Sequence, residues 1–356
     1  MPDKKRAAPE GARRKGSLTA DELITLMQGQ TAFQLLWAGH KLGLYALLSH
    51  EPGLALSAIA KRLHLADYPA RVLLVGLTAL RVIRKIGAGH HNARMTEKWL
   101  VPERPRTFAP VLGWQAEIVY PGLVDFVESL KKNTNVGLRH FPGPGNTLYQ
   151  RLTKHPKLEK VFQDAMSALS NQANVEMRRA LPLKDSRHLV DEGGGDGTNA
   201  IAIAQRFPHL HVTVFDSASV CKIARRNIKR AGLTDRISTW AGDIFVDPLP
   251  DGVDSILFCH MFTIWSPEKS IELLRKSHKA LPKGGKLLVF NMMGDDDDTG
   301  PVSTALGSPY FLAIATGVGL LYPWKDHESR IRKAGFKRIK RISNLPLDHG
   351  LLVATK

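Results

Sequence analysis

Leu189-Val190-Asp191-Glu192-Gly193-Gly194-Gly195-Asp196-Gly197-Thr198, followed by the apolar run Asn199 to Ala204, decides the fold. A short hydrophobic strand enters a turn with four glycines, and a segment of helical spacing comes next, with Asp196 or Thr198 as its expected cap. Glycines suit such a loop because it must adopt positive φ and let a ligand approach the backbone more closely than a Cβ would allow. The helix amino terminus adds unpaired N–H groups. A related turn serves dinucleotide folds, so the strands downstream of it decide the ligand.

After the loop, His211-Val-Thr-Val-Phe215 reads as a second strand ending in Asp216, and a polar helix is expected from Ala218 to Ala231. An acidic residue there can accept hydrogen bonds from both ribose hydroxyls of a nucleoside. Arg236 to Trp240 forms a third strand, leading into Gly242-Asp243-Ile244-Phe245. Asp243 can take the exocyclic amine of an adenine, with Ile244 and Phe245 flanking the ring. Further strands are Asp254 to Phe258, giving way to Cys259-His260-Met261-Phe262, and Lys286 to Phe290, preceded by Pro282-Lys283-Gly284-Gly285.

In this order the motifs resemble a class I S-adenosylmethionine-dependent methyltransferase. More narrowly, from about Asp21 to the end, they resemble the small-molecule O-methyltransferase family with an amino-terminal winged-helix dimerisation domain. Lys333-Ala334-Gly335-Phe336 completes the pattern. The resemblance implies an α/β fold, a seven-stranded Rossmann-like sheet preceded by a mainly α domain, and S-adenosyl-L-methionine as cofactor. It places the loop of Gly193, Gly195 and Gly197 against the methionine part, Asp216 at the ribose, and Asp243 with Ile244 at the adenine, and it counts Asp191, Ser217 and Phe245 as cofactor-binding. Cys259, His260 and Trp265 join the cofactor set.

The chain has 356 residues, 43% hydrophobic and 23% charged, values of a globular protein with room for two domains. No apolar run approaches the ~18 residues of a membrane span. No hydrophobic segment succeeds the basic residues at the start, so a cytoplasmic protein is expected. Cys221 and Cys259 are too few for a disulfide framework or a zinc site, and no metal is expected. The net charge of +17 is partly concentrated before Lys15 and otherwise spread along helices such as Arg225 to Arg230, the pattern of solvated faces.

The expected divisions are a disordered basic arm over 1–16, a winged-helix dimerisation domain over 17–105, a helical linker and acceptor-pocket region over 106–182, and the cofactor domain over 183–356. Thr19-Ala-Asp-Glu22 has capping-box spacing, and Leu23, Leu26, Met27, Phe33 and Trp37 then fall on one face of a helix running toward Lys41. Leu56 to Leu63, a second helix from Asp67 to Leu80, and a hairpin from Val82 around Gly87-Ala-Gly89 make a winged helix-turn-helix. A DNA reader needs polar or basic side chains on its second helix. Here that helix reads Ala70-Arg-Val-Leu-Leu-Val-Gly-Leu-Thr-Ala-Leu80, so a homodimer contact is expected in place of nucleic-acid binding. Tyr149, Phe162, Met166 and Asn171 are expected as acceptor-pocket walls, with Asn291 and Tyr310.

The pattern breaks at the chemistry. In the resembling family, the fourth strand is followed by a histidine, two residues, then a catalytic histidine with an Asp-Trp pair. His260 and Trp265 match, but Thr263 and Ile264 stand at the histidine and aspartate positions. The acid that orients that histidine should fall near Leu320 or Leu321, in an apolar stretch. Both partners are missing together. Candidates for the chemistry are then His260, Thr263, Tyr310, His327 and His349. The expectation is methylation of a small hydroxylated aromatic at ring carbon or oxygen, and the Thr263 variant looks like bacterial specialised-metabolism enzymes acting on aromatic amino acids. A cofactor-binding relative with a non-methylating reaction, or a winged-helix regulator, are the alternatives. Asp295 to Asp298 reads as a solvated loop, and Ala305 to Leu321 as a helix over the pocket.

Overall fold

The computed structural model describes residues 17–356, so the arm expected over 1–16 lies outside the described residues. Between Arg104 and Pro105 the chain divides into two compact units.

In the first unit the capping box forms as expected, Glu22 N donating to Thr19 Oγ1 at 3.2 Å and Thr19 N to Glu22 Oε2 at 2.9 Å. It opens α1 (Ala20–Met27). The single helix expected beyond it instead breaks at Gln28, whose ψ of 12° leaves the helical range, and α2 (Gly29–Lys41) starts afresh. Then come α3 (Leu44–His50), α4 (Leu56–Arg62) and α5 (Asp67–Ala79), the antiparallel hairpin of β1 (Ile83–Ile86) and β2 (Gly89–Asn92), and α6 (Arg94–Trp99). Helix, turn, helix and hairpin are in winged-helix order. Leu73, Leu74 and Leu77 of α5 face the core with Ile59 and Leu48, while Tyr68, Val72 and Val75 leave an uncovered apolar stripe on its other side.

The second unit starts with α7 (Ala109–Trp114), α8 (Tyr120–Leu123), α9 (Phe126–Lys132), α10 (Leu148–Leu152) and the 25-residue α11 (Pro156–Ala180). A sheet comes next: β3 (His188–Glu192), β4 (His211–Asp216), β5 (Ile237–Ala241), β6 (Ser255–Cys259), β7 (Lys286–Met292), β8 (Arg338–Ile342) and β9 (His349–Thr355). Its seven strands lie in the order β5-β4-β3-β6-β7-β9-β8, with β5 through β7 parallel and β9 antiparallel to both neighbours. The connecting helices are α12 (Thr198–Arg206), α13 (Ala218–Arg230), α14 (Pro267–Ala280), α15 (Val302–Tyr310) and α16 (Trp324–Lys333).

Side-chain parity along each strand sorts the core into two layers. Leu189, Leu257, Leu288 and Phe290 pack with Ala173 and Met177 of α11, Ile203 of α12 and Ile228 of α13. Val190, Ile256, Phe258 and Val289 pack with Leu273 and Leu274 of α14 and Ile331 of α16. Helices cover both faces, which is why these parallel strands read as continuous apolar runs. Among the described residues no helix is long and apolar enough to cross a membrane.

Candidate functional site

Chain order along the sheet reverses between β3 and β6, and in such sheets the crevice beyond the carboxyl ends at the reversal is where ligands bind. The glycine turn lies there. Gly193, Gly195 and Gly197 have φ of 73°, 60° and 82°, a region that L side chains rarely enter. At Gly193 a Cβ would also sit 2.3 Å from Met261 Sδ, whereas Gly195 faces open space. Gly197 is the helix cap in place of the expected Asp196 or Thr198. Asp196 acts one step earlier, its Oδ1 accepting from Thr198 N at 3.0 Å and its Oδ2 from Ser167 Oγ of α11 at 2.9 Å.

Asp216 ends β4 beside this turn. Its carboxylate accepts from Gly195 N at 3.0 Å and Ser217 N at 2.7 Å. Burial lifts its pKa, and those bonds oppose the lift. At the end of β5, Asp243 Oδ1 accepts from Phe245 N at 2.9 Å, while Asp243 N donates to Asp247 Oδ2 at 2.7 Å. Phe245 stands edge-on to Trp265 with ring centres 5.0 Å apart. The glycine turn, Asp216 and the 243–245 turn thus lie at the carboxyl ends of adjacent strands.

Asp191 and Glu192 are neighbours on β3 and therefore point to opposite faces. Both are fully buried, and neither carboxyl group has a hydrogen-bond partner within the protein. Burial first, then Asp216 and Asp196, push the Asp191 carboxyl up to about 7. Asn199 Oδ1 and both amide atoms of Asn291 are likewise buried without partners. Buried polar groups left open inside a fold are ones a bound polar ligand can satisfy. Clustered carboxylates at the turn suit one carrying positive charge.

His260 comes directly after β6 with a positive φ of 57°. Its Nε2 lies 2.9 Å from His349 Nε2, and His349 Nδ1 lies 3.0 Å from the Pro346 carbonyl. A carbonyl can only accept, so His349 carries its proton on Nδ1 and its Nε2 accepts from His260 Nε2–H. Burial pushes His260 down to about 3, with His349 adding to the shift, and burial lowers His349 as well. This is a neutral, mutually oriented pair and a poor proton acceptor.

Two catalytic candidates lie in closed surroundings. Thr263 is buried, and its hydroxyl donates to the His260 carbonyl at 2.9 Å, so it closes a turn. The chain also folds down on it: Thr316 Oγ1 donates to Ile264 O at 2.8 Å, and a Cβ on Gly319 would lie 2.2 Å from Thr263 O. His327 is enclosed between the rings of Phe262 and Tyr322, and burial followed by Arg330 pushes it down to about 3. It belongs to the core. The helix expected to Leu321 ends earlier, at a π-helical turn Phe311–Ala315. Asp296 pairs with Arg341 and Asp298 with Lys325, while Asp297 takes Thr299, so the acidic run has divergent partners.

The remaining candidates fall in two places. Tyr149 and Phe162 meet edge to face at 5.7 Å, and Tyr310 meets Trp114 at 5.0 Å, all in one apolar cluster. Met166 lies one turn beyond Phe162 on the same face of α11. Burial pushes the Tyr149 hydroxyl up to about 12 and raises Tyr310 well above its ordinary value. Trp114 and Tyr310 each precede a π-helical turn, Gln115–Val119 and Phe311–Ala315, a feature frequent at functional sites. Asn171 stands apart on the opposite face of α11, in an open groove of about 420 Å³ with Arg106, Arg178 and Gln205.

One arrangement has no counterpart among the residues expected from the sequence. His140 Nε2 lies 2.8 Å from Asp125 Oδ2, and Arg139 pairs with the other oxygen. It is the only histidine within ion-pair distance of a carboxylate among the described residues. Burial would lift Asp125, but the Arg139 and His140 bonds outweigh it and hold the carboxyl below its ordinary value. Leu138 and Phe141, flanking His140, belong to the Tyr310 cluster. No spacing rule links positions 125 and 140.

Residues 121–337 match the O-methyltransferase domain family, and L-tyrosine C(3)-methyltransferase of Streptomyces lavendulae is 37% identical over 96% of this chain and 94% of its own. The chain belongs to the O-methyltransferase family. The S-adenosylmethionine-dependent methyltransferase SibL, in its apo form, superposes with a TM-score of 0.82 at 37% identity, covering 94% of this chain and 98% of that one. Human N-acetylserotonin methyltransferase in complex with S-adenosylmethionine shares the fold, with a TM-score of 0.84 at 22% identity over 96% and 99% of the two chains. This O-methyltransferase-family member is therefore a methyltransferase, and its cofactor is S-adenosyl-L-methionine. The open Asp191 carboxyl, with Asp196 and Asp216 near it, fits a ligand with sulfonium and ammonium charges.

If the cofactor's ammonium group sits beside Asp191, the raised carboxyl there makes its binding depend on pH. Binding a cation beside Asp191 favours its ionised form, so below about 7 binding must expel a proton. Calorimetric affinity for S-adenosylhomocysteine is expected to fall as pH drops from 7 to 5.5, by up to about tenfold per unit. Asp191→Asn should flatten that slope. An equal slope in the variant would assign the proton elsewhere.

Proposed function

We propose that the enzyme methylates a small hydroxylated aromatic compound, of aromatic amino-acid type, at a ring carbon or the phenolic oxygen. The observation that carries this reading is the absence of a histidine–acid dyad at Thr263 and Leu321, combined with the aromatic cluster of Trp114, Tyr149, Phe162 and Tyr310. The relative that acts on L-tyrosine C(3) supports the carbon alternative. When bound, the cofactor supplies an electrophilic methyl group. The protein must then hold a nucleophile in line, and positioning provides much of the rate.

Deprotonating a phenol places charge on its oxygen and its ortho carbons, so either outcome benefits from a base. His140, oriented by Asp125 and reached by solvent, is the group best suited to that task. Tyr310 keeps its proton and serves as a donor. His260 and His349 shape the crevice as a neutral pair.

The test is incubation with S-adenosylmethionine and a panel of phenolic amino acids, read by mass spectrometry. Gain of one CH2 with stoichiometric S-adenosylhomocysteine supports the reading, and product resistance to ether cleavage marks carbon. Cofactor binding with no methylated product would favour the non-methylating alternative.

The active form is proposed to be a homodimer. Leu23, Ile24, Leu26 and Met27 of α1 are exposed, Met27 by 76%, in a short helix with no buried residue. A second copy of this face is the proposed cover. Light scattering of Leu26→Lys should show a monomer if it is.

A further inference from the structure

We propose that Lys276 is a positioning residue for the nucleoside end of the cofactor site, acting through the Ile244 carbonyl and itself held by the buried Glu192. The inference rests on reading Asp243 and Ile244 as the nucleoside-binding turn.

Glu192 ends β3 with its side chain on the α14 side of the sheet, fully buried, and neither oxygen has a hydrogen-bond partner. Lys276, from the third turn of α14, brings its ammonium to 3.7 Å from Glu192 Oε1 and 4.9 Å from the centre of the Phe215 ring. That ammonium donates to Ile244 O at 2.6 Å. A mostly buried ammonium is costly unless paired. Here a carboxyl group, a ring face and one carbonyl surround it, and the carbonyl is the only one of the three in the ligand turn.

The same peptide group is held at its other end. Its nitrogen, Phe245 N, donates to Asp243 Oδ1 at 2.9 Å. With oxygen bound to Lys276 and nitrogen to Asp243, the peptide plane between Ile244 and Phe245 cannot turn without releasing one of them. Loss of Lys276 frees that plane, and with it the orientation of the Asp243 carboxylate. Glu192 thereby joins the strand that enters the glycine turn to the turn at the nucleoside end, from the face opposite Asp191.

The test uses the full chain and calorimetry with S-adenosylhomocysteine and with adenosine. Lys276→Met should weaken both by a similar factor, about tenfold, the order expected for one charge-assisted hydrogen bond. Turnover at saturating cofactor should change by less than about twofold, because uniform binding is what is lost. Lys276→Arg, which keeps a donor, should recover most of the affinity. Because Lys276→Met leaves Glu192 buried alone, the double variant Glu192→Gln/Lys276→Met keeps the question open to test. It should fold and retain the binding defect. A double variant that binds adenosine like the parent overturns the proposal. So does a parallel loss of stability with no loss of affinity. If Asp243→Ala leaves binding of both ligands unchanged, the nucleoside reading of the turn fails instead.

Discussion

Asp216→Ala is expected to weaken S-adenosylhomocysteine binding by about 10²–10⁴-fold, the loss of two hydrogen bonds to a charged group at roughly 1.5–3 kcal/mol each. The carboxylate has two duties. It holds the glycine turn through Gly195 N and anchors its own strand end through Ser217 N. Its remaining lone pairs are the ones we propose for a ribose diol. Asp216→Asn keeps a neutral acceptor and should fall between the two. Calorimetry on both variants, with circular dichroism as a control for folding, decides the matter. Unchanged affinity in a folded Asp216→Ala protein would remove Asp216 from the cofactor site.

His140→Ala should lower turnover on the accepted phenol by about 10²–10⁴-fold, the usual worth of a positioned base. S-adenosylhomocysteine binding should stay as in the parent, since His140 is carried by the helical region and not by the glycine turn. Asp125→Asn should give a smaller loss, because the imidazole remains but its orienting charge is gone. Raising pH should partly restore the rate of the His140→Ala enzyme, as more of the phenol ionises unaided. If turnover survives, the base is elsewhere, and His260→Gln becomes the next variant to make.

The five parallel strands were legible to within a residue or two, because they are apolar runs punctuated by glycine and acidic turns, whereas the antiparallel β8 and β9 were not placed. Asp216 and the 243–245 turn could be placed for the same reason: the first closes a strand and the second comes just after one. What could not be read was anything made by three-dimensional closure. Thr263 is legible as a missing histidine, but the descent of Gly319 onto its carbonyl depends on a π-helical turn that leaves no periodic signal. Asp125 and His140 meet only because α9 and the turn after it fold back on themselves. Glu192 was partly readable. Strand parity alone says that Asp191 and Glu192 cannot both face the glycine turn, yet only the fold shows Lys276 on the other side. The break at Gln28 shows the same limit, since the hydrophobic spacing runs through it unchanged.

The tight seat of Gly319 against Thr263 bears on how such enzymes can diverge. The segment from Thr316 to Leu321 rests on the backbone at positions 263 and 264, so a side chain at position 319 would have to displace it. An acidic partner for a histidine at position 263 would have to emerge from that same segment, and neither replacement is useful before the other. An evolutionary or engineering path from this enzyme to one with a histidine–acid dyad therefore has to change two stretches of chain that already touch.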